Sequence, residues 1–319
     1  MTAEKRERVI AILGPTASGK TALAVRLAQR MGTDIISGDS MLVYRGFDIG
    51  TAKPDEGERG GIRHELMDIL DPQEPFSVSD FQRLAAEKIT GINARGRIPI
   101  LVGGTGLYVK ALLEGYEFNR TSEDAAYRQS LEELAAARGR AYVHDMLAEV
   151  DPEAAHRLHV NDFRRVVRAL EVWKLGNEKI SDRRFQGGET LRYEVWVVGL
   201  HWERSLLYDR INVRVRHMMA AGWEDEVRAL LAAGVSRTDP AMKGIGYKEM
   251  AAFIAEEMSR EETVCAIQKV TRHFAKRQIT WYRKMPYIHW YEADKMPLSL
   301  LSEKVFQDAA GFFAEKAKI

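Results

Sequence analysis

Short apolar runs alternate along this chain with segments of helical periodicity. The runs occupy residues 9–13, 34–37, 65–70, 98–102 and 194–200. Uninterrupted apolar runs of this length are typical of strands that are buried on both faces. Strands that alternate with helices form parallel sheets, because each helix carries the chain back to the start of the next strand. The pattern therefore predicts an α/β fold, with a parallel sheet covered by helices.

Several longer segments show apolar residues at helical spacing. One helix is predicted from Asp80 to Arg95, with Ser79 as a candidate N-terminal cap. Helices are also predicted within 205–233, with a break near Gly222, and over 261–284. These segments supply the layers that would cover the sheet.

The alternation of strands and helices stops after residue 118. The following segment has helical patterns interrupted at Asp151-Pro152 and contains no strand pattern. We therefore predict an all-helical insertion domain over 119–192, with Gln186-Gly187-Gly188 as the loop leading out of it. Residues 1–118 plus 193–319 would form the α/β core.

One loop carries a strong chemical signature. It fits the pattern G-x-x-x-x-G-K-[ST] with the residues Gly14, Pro15, Thr16, Ala17, Ser18, Gly19, Lys20 and Thr21. It follows the first apolar run and precedes a helix, so its backbone N–H groups and the helix N-terminus can bind phosphate oxygens. Lys20 adds a point charge, and Thr21 offers a hydroxyl to Mg²⁺. The loop predicts a diphosphate site in a P-loop NTPase-like core.

Two further loops follow strand patterns, 37–40 and 103–106. Open parallel sheets bind ligands at the carboxyl ends of their strands, so both loops are expected to face the phosphate loop. Asp39 could hold Mg²⁺ through water, act as a base, or cap the next segment. Thr105 could contact a ligand or simply cap a helix.

Basic residues are unevenly distributed. Arg210 and Arg214 lie four apart on one predicted helix face, where an arginine could bind a diphosphate or simply be solvated. The stretch 263–291 has no acidic residue, and its basic residues are interleaved with aromatic ones, as is typical of nucleic-acid surfaces. Arg164 and Arg165 form a second basic cluster in the insertion. Some of the aromatic residues fit an apolar helical stripe and could instead belong to the core.

The bulk properties are those of a soluble globular protein. The 319 residues are 45% hydrophobic and 29% charged, with a net charge of +1, and no apolar run approaches the length of a membrane span. Charged residues fill the N-terminal segment where a secretion signal would be apolar. We expect a cytoplasmic protein with no membrane contact. Cys265 is the only cysteine in the sequence, so an internal disulfide is excluded. Its apolar neighbours suggest a buried structural thiol.

The phosphate loop and the segment SGDSMLVYRGFDIGTAKP at 37–54 resemble the tRNA dimethylallyltransferase family, also called tRNA isopentenyltransferases. The resemblance continues in LVGGTGLY at 101–108, NDFRR at 161–165, GIGYKE at 244–249 and AKRQITW at 275–281. It implies transfer of a dimethylallyl group from dimethylallyl diphosphate to N6 of an adenosine, with release of diphosphate. That adenosine lies on the 3′ side of the anticodon in tRNAs that read codons beginning with U. It also implies Mg²⁺ as cofactor, and we expect a monomer.

The resemblance assigns roles to individual residues. Lys20, Thr21 and Arg214 would stabilise the leaving diphosphate, Asp39 would accept the proton of the adenine amine, and Thr105 would orient a reactant. The adenosine would be flipped out of the anticodon loop to reach them. The residues expected to contact tRNA are Asp39, Ser40, Met41, Leu42, Thr105, Asp162, Phe163, Arg164, Arg165, Lys243, Gly246, Tyr247 and Lys248.

Three other interpretations share parts of this pattern. An isopentenyltransferase that acts on free adenine nucleotides would have the same core, but the insertion and its arginines favour a polynucleotide. A small-molecule kinase would use the same loop for ATP, and a non-catalytic RNA-binding protein could retain the loop for structure. Eukaryotic relatives often carry a C-terminal zinc finger, whereas residues 298–319 contain no cysteine, which indicates the bacterial form without zinc.

Overall fold

A sheet of six parallel strands forms the centre of the α/β core. The computed structural model describes residues 6–116, 124–181 and 191–316. The strands are β1 Arg8–Leu13, β2 Ile35–Ser37, β3 His64–Glu65, β4 Ile100–Gly103, β5 Glu194–His201 and β6 Ile288–Glu292. Their order is β3-β2-β4-β1-β5-β6, and every neighbouring pair is parallel. The predicted parallel α/β fold is confirmed.

Thirteen α-helices are present in the described ranges. They are α1 Lys20–Met31, α2 Glu56–Arg59, α3 Val78–Ala94, α4 Gly106–Leu113, α5 Ala125–Arg138, α6 Arg140–Val150, α7 Pro152–Arg157, α8 Phe163–Gly176, α9 Arg204–Ala220, α10 Trp223–Ala232, α11 Tyr247–Ile254, α12 Arg260–Tyr282 and α13 Leu298–Lys316. A 3-10 helix spans Ala241–Lys243. The predicted helices within 205–233 and over 261–284 are confirmed, and the break near Gly222 separates α9 from α10.

The central strand β1 buries side chains on both faces of the sheet. Successive side chains of a strand point to opposite faces, so Val9 and Leu13 pack on one side and Ile10 and Ile12 on the other. The first face is covered by α3 and α4, and the second by α1 and α13. Because neither face of β1 is exposed to water, the strand is an uninterrupted apolar run.

The chain divides into two compact units. One unit comprises Met1–Glu114 with Thr190–Ile319, and the other comprises Gly115–Glu189. The described part of the second unit consists of α5 to α8 around its own apolar core, which includes Leu131, Leu147 and Leu170. The predicted exit loop 186–188 and the predicted domain boundary at 119 lie outside the described residues.

A buried ion pair joins two helices of the second unit. Glu171 of α8 is fully buried and pairs with Arg128 of α5 at 2.8 Å and with Arg168 of its own helix. Burial alone would raise the pKa of Glu171, but hydrogen bonds from both guanidinium groups hold it below its ordinary value. The carboxylate therefore contributes to the folded second unit only while it remains ionised.

Local details differ from the sequence-based expectations in two places. Helix α3 is capped by Ser77 rather than Ser79, because Ser77 Oγ accepts the Asp80 amide at 3.1 Å and Asp80 Oδ2 in turn accepts the Ser77 amide at 3.1 Å. The apolar run 65–70 is not a strand beyond Glu65. Leu66 and Asp68 adopt φ angles of 63° and 52°, and these left-handed positions turn the chain out of the sheet.

Two further expectations are corrected at the carboxyl-terminal end. Strand β6 was not predicted, because an edge strand with a mixed burial pattern lacks the continuous apolar run used to recognise the others. Cys265 is exposed rather than buried, since it lies on the outer face of α12. Within 6–116, 124–181 and 191–316, no helix is both long and apolar enough to cross a membrane.

Candidate functional site

Three loops meet at the carboxyl edge of the sheet. The phosphate loop follows β1, the Asp39 loop follows β2, and the 103–106 loop joins β4 to α4. The Gly38 amide donates to Val102 O at 2.7 Å, which fastens the second loop to the end of β4. In a parallel sheet the carboxyl ends of adjacent strands lie side by side, so distant parts of the chain reach one crevice.

The crevice contains a cavity of about 300 Å³. Predicted site residues that line it are Thr16, Lys20, Thr21, Asp39, Ser40, Met41, Leu42, Thr105, Arg214, Lys243 and Tyr247. The predicted residues Gly14, Pro15, Ala17, Ser18, Gly19 and Gly246 belong to the adjoining loops and Lys248 to the first turn of α11, but none of them lines the cavity. Most of the predicted catalytic and diphosphate-binding side chains therefore share one space.

The phosphate loop wraps around the start of α1. Gly19 adopts a φ of 88° and Ala17 a φ of 64°, so two residues of the loop have left-handed backbones. This conformation is easy for glycine but costs energy at alanine, and such strain is common at ligand sites. The Lys20 ammonium donates to Pro15 O at 2.8 Å, within the loop itself. The Lys20 ammonium is therefore held against the loop by the loop's own backbone.

Two cations converge beside this loop. Burial and the nearby charge of Arg214 together lower the pKa of Lys20 to about 7, although Asp39 opposes both effects. Burial also lowers the pKa of Arg214. Arg210, one turn earlier, instead donates from Nε to Ala17 O at 2.8 Å and supports the back of the loop. The site thus holds positive charge that a bound anion would stabilise.

The side chains of Asp39 and Thr105 are oriented by local hydrogen bonds. Asp39 Oδ1 accepts the Met41 amide at 2.9 Å. Thr105 Oγ1 accepts the Ser40 amide at 3.1 Å and donates to Ser40 Oγ at 3.3 Å. A Cβ at Gly104 would lie 3.0 Å from Asp39 Oδ2, so any other residue there would push against that oxygen. The carboxylate is therefore fixed by one oxygen, while the other faces the Gly104 backbone.

Gln278 of α12 connects two of the loops and was not predicted as a site residue. Its Oε1 accepts the Thr16 amide at 2.9 Å, and its Nε2 donates to Gly104 O at 2.7 Å. Tyr282, one turn further on, also donates to Gly104 O, at 2.9 Å. Gln278 is only 5% exposed. The sequence offered one indication of this role, since Gln278 is a polar residue on the face of α12 that is otherwise apolar.

Apolar side chains form a large part of the cavity wall, and they were also missed. Helix α9 contributes Ile211, Val215 and Met218, and helix α12 contributes Ile267 and Phe274. In the sequence these residues look like core positions. Helical periodicity shows which side chains face inward, but not whether they face the protein core or a ligand cavity. A site that combines cations at one loop with apolar walls suits a ligand that has a charged head and an apolar tail.

The predicted tRNA contacts within 243–248 differ in their exposure to solvent. Lys243 and Lys248 are exposed, whereas Gly246 is buried. Tyr247 is 1% exposed, its ring packs on Phe47, and its hydroxyl donates to Glu226 at 2.7 Å. Burial and the Glu226 carboxylate raise the pKa of Tyr247. Its hydrogen-bonding capacity is thus used within the protein.

The remaining predicted tRNA contacts belong to the second unit. Asp162, Phe163, Arg164 and Arg165 line a groove on that unit together with Arg140. Asp162 lies 4.0 Å from Arg165, and both side chains are more than half exposed. An exposed pair of this kind leaves the arginine available to another anion, because surface ion pairs are weak.

The site fits a magnesium ion that is held mainly by its substrate. Thr21 and Asp39 line the cavity beside the phosphate loop. No group of three or more His, Cys, Asp or Glu side chains suited to a metal occurs in 6–116, 124–181 or 191–316. Magnesium in proteins commonly keeps several waters and binds through one or two protein oxygens plus substrate phosphates. A hydroxyl and a carboxylate beside a diphosphate site match that pattern.

The fold is that of a P-loop-type α/β protein, in which three loops form a crevice at the carboxyl edge of the sheet. The family model described as IPP transferase matches residues 42–285. The chain belongs to this family of transferase enzymes.

Curated relatives and solved structures agree with that assignment. The chain is 47% identical over 298 residues to a tRNA dimethylallyltransferase of Heliobacterium modesticaldum, covering 92% of each protein. It is 44% identical over 314 residues to the tRNA dimethylallyltransferase of Geobacillus thermodenitrificans, covering 98% and 99%. The Bacillus halodurans tRNA isopentenylpyrophosphate transferase superposes with a TM-score of 0.74 at 42% identity, over 98% of this chain and 99% of that one.

A more distant structure has the same fold. A eukaryotic dimethylallyltransferase acting on tRNA superposes with a TM-score of 0.83 at 28% identity, over 97% of this chain and 80% of that one. The predicted resemblance is thereby confirmed at the level of the family, and the predicted enzyme class is confirmed with it.

Proposed function

We propose that this chain is a tRNA dimethylallyltransferase. It transfers the dimethylallyl group of dimethylallyl diphosphate to N6 of the adenosine on the 3′ side of the anticodon, in tRNAs that read codons beginning with U. Family membership supports the reaction class, and the relatives named above support tRNA as the acceptor. The single observation that carries the proposal is the cavity itself, in which Lys20, Arg214, Asp39 and Thr105 line one space with apolar walls.

The diphosphate end of the donor binds at the phosphate loop in this proposal. As the carbon–oxygen bond breaks, negative charge accumulates on the leaving diphosphate. The positive charges of Lys20 and Arg214 interact more strongly with this charge and so stabilise the transition state. Magnesium held through Thr21 and diphosphate oxygens would add to that charge. The dimethylallyl tail packs against the apolar residues of α9 and α12, which exclude water from the reacting carbon.

The acceptor nitrogen needs a base because its lone pair is delocalised into the adenine ring. As N6 bonds to carbon 1 of the dimethylallyl group, the carbon–oxygen bond breaks and its electron pair leaves with the diphosphate. Asp39 Oδ2 accepts the proton that N6 loses. Thr105, fixed through Ser40, orients the amine, and Gln278 keeps Gly104 and the phosphate loop in register.

The adenosine must leave its stacked anticodon loop to enter the cavity. Enzymes that modify a base usually extrude it into a pocket. Ser40, Met41, Leu42 and Lys243 line the cavity and are the proposed contacts of the flipped nucleotide. The groove that contains Arg164 and Arg165 would bind phosphates of the RNA backbone. A cytoplasmic monomer remains part of the proposal.

Mass spectrometry of tRNA provides the test. Unmodified tRNA with an adenosine 3′ to an anticodon that reads U-initial codons is incubated with the protein, dimethylallyl diphosphate and Mg²⁺. The expected result is one added dimethylallyl group on that adenosine and one released diphosphate. A tRNA with guanosine at that position is the matched control and should remain unmodified.

The same samples distinguish the rival activities. Labelling of free adenine nucleotides in preference to tRNA would instead identify a nucleotide isopentenyltransferase. Transfer of labelled phosphate from ATP, with no change to the tRNA, would identify a kinase and contradict the proposal. Tight tRNA binding without any product would support a non-catalytic RNA-binding protein.

A further inference from the structure

Helix α10 lies behind two loops that wall the cavity. The first is 48–52, of which Gly50, Thr51 and Ala52 line the cavity. The second is 243–247, of which Lys243, Gly244, Ile245 and Tyr247 line it. None of the residues to which a catalytic role is assigned lies in α10 or in the first of these loops. The contacts that hold this wall in place are therefore distinct from the catalytic residues.

One carboxylate of α10 holds both loops. Glu226 Oε2 accepts the amides of Asp48 at 2.9 Å and Ile49 at 2.6 Å. Its Oε1 accepts the Gly50 amide at 3.2 Å and the Tyr247 hydroxyl at 2.7 Å. Four donors converge on a single carboxylate, and hydrogen bonds to a charged acceptor are the stronger class.

The neighbouring Trp223 fixes the same loops by shape. It is fully buried, and its indole lies against Gly50 on one loop and Gly246 on the other. A Cβ at either glycine would overlap the indole ring. Gly246 also has a φ of 89°, which disfavours any other residue. The first turn of α10 thus sets the distance between the two loops.

The wall formed by these loops suits a flat, neutral ligand group. Its lining is rich in glycine and backbone, with Trp223 and Ile245 as apolar contacts and Lys243 as its cation. The diphosphate charge is met elsewhere, by Lys20 and Arg214. We infer that Glu226 is a positioning residue for the acceptor nucleotide, which acts by holding the two loops between which the base is received. This inference rests on the proposed function.

Glu226→Gln tests the inference with little change in shape. Each carboxylate oxygen accepts two donors, so either orientation of the amide places its NH₂ group against two other donors. Glu224→Gln is the matched control: it lies on the same helix and its partner is Arg228 on the helix surface, at 2.8 Å. Tyr247→Phe removes only the hydroxyl donor to Glu226, and it is the alternative test if Glu226→Gln folds poorly.

Two measurements are required. Hydrogen exchange of a peptide covering 47–52 should be faster in Glu226→Gln than in Glu224→Gln by about tenfold, because one or two of the three loop amides lose their acceptor, depending on the orientation of the glutamine amide. The value of kcat/KM for tRNA should fall by about tenfold, while the dissociation constant for dimethylallyl diphosphate changes less than twofold. Tyr247→Phe should show a smaller fall of the same kind.

The outcomes separate this inference from the proposed function. Unchanged exchange, or faster exchange with an unchanged kcat/KM for tRNA, overturns the role of Glu226. Equal losses for tRNA and for dimethylallyl diphosphate, accompanied by a lower melting temperature, indicate general structural damage and also overturn it. A wild-type protein that modifies no tRNA contradicts the proposed function, whereas the exchange result still reports on the loops.

Discussion

Replacing Gln278 by methionine should slow the reaction without unfolding the protein. Methionine has a similar length but offers neither the acceptor for the Thr16 amide nor the donor for Gly104 O. Gly104 O keeps the hydroxyl of Tyr282 at 2.9 Å, so the Thr16 amide is the group left without a partner. An unpaired buried amide costs roughly 1 to 3 kcal/mol, and the middle of that range is about 2 kcal/mol.

That energy should affect catalysis because both partners belong to the site. If about 2 kcal/mol is lost from the transition state, the single-turnover rate falls by roughly 30-fold. The rate is measured by rapid quench with saturating tRNA, dimethylallyl diphosphate and Mg²⁺. The affinity for dimethylallyl diphosphate should also weaken, because Thr16 belongs to the phosphate loop.

Gln268→Met is the matched control on the same helix. Gln268 is half-buried and donates to Asn212 O at 3.2 Å, away from both loops. It should cost a similar amount of folding stability but leave the single-turnover rate within about twofold. If Gln278→Met is as fast as Gln268→Met, the connection between the loops does not contribute to catalysis, and the reasoning fails.

Three further perturbations have defined expected results. Asp39→Asn keeps the acceptor for the Met41 amide but cannot take a proton, so the single-turnover rate should fall by about 10²-fold to 10⁴-fold with both substrates still bound. Glu171→Gln removes the buried carboxylate that Arg128 and Arg168 share, and with it charge-assisted hydrogen bonds, so the urea-unfolding free energy of the second unit should fall by about 2 kcal/mol at pH 7. Arg165→Ala should reduce the slope of log tRNA affinity against log salt by about 1.

Each of these expectations has a contrary outcome. Recovery of Asp39→Asn to the wild-type rate at high Mg²⁺ would show that Asp39 holds the metal and is not the base. For Glu171 the pKa is lowered on folding, so its contribution is complete above the ordinary value of 4.5 and is lost as the pH falls through the lower folded-state value. Glu171→Gln should therefore remove the acid sensitivity in that range, and an unchanged acid transition refutes the pairing argument. An unchanged salt slope means that Arg165 is only solvated.

Local and chemical features of this protein follow from its sequence alone. The loop 14–21 is recognisable because phosphate binding needs glycines, a lysine and a hydroxyl at fixed spacing after a strand. The strands β1 and β5 are recognisable because burial on both faces requires uninterrupted apolar residues. Asp39 and Thr105 could be suggested as site residues because the loops that follow parallel strands share one edge of the sheet.

Other features were decided only when distant segments came together. The polar side chain of Gln278 meets Thr16 and Gly104, which are 262 and 174 residues away along the chain, and no periodicity encodes such a meeting. Glu226 is indistinguishable in the sequence from other acids in the first turn of α10, and its four donors come from loops on either side. The apolar residues of the cavity wall likewise appear in the sequence only as the apolar faces of ordinary amphipathic helices.

The physical reason is the range of the interactions concerned. Backbone conformation, strand burial and phosphate binding depend on neighbours within a few residues, so their requirements appear as short patterns. Hydrogen bonds between side chains and remote backbone groups depend on the final packing of α10 and α12 against the loops, which only the complete tertiary structure defines. The sequence therefore determined what chemistry the site could perform, and the tertiary structure determined which residues hold that site in its working geometry.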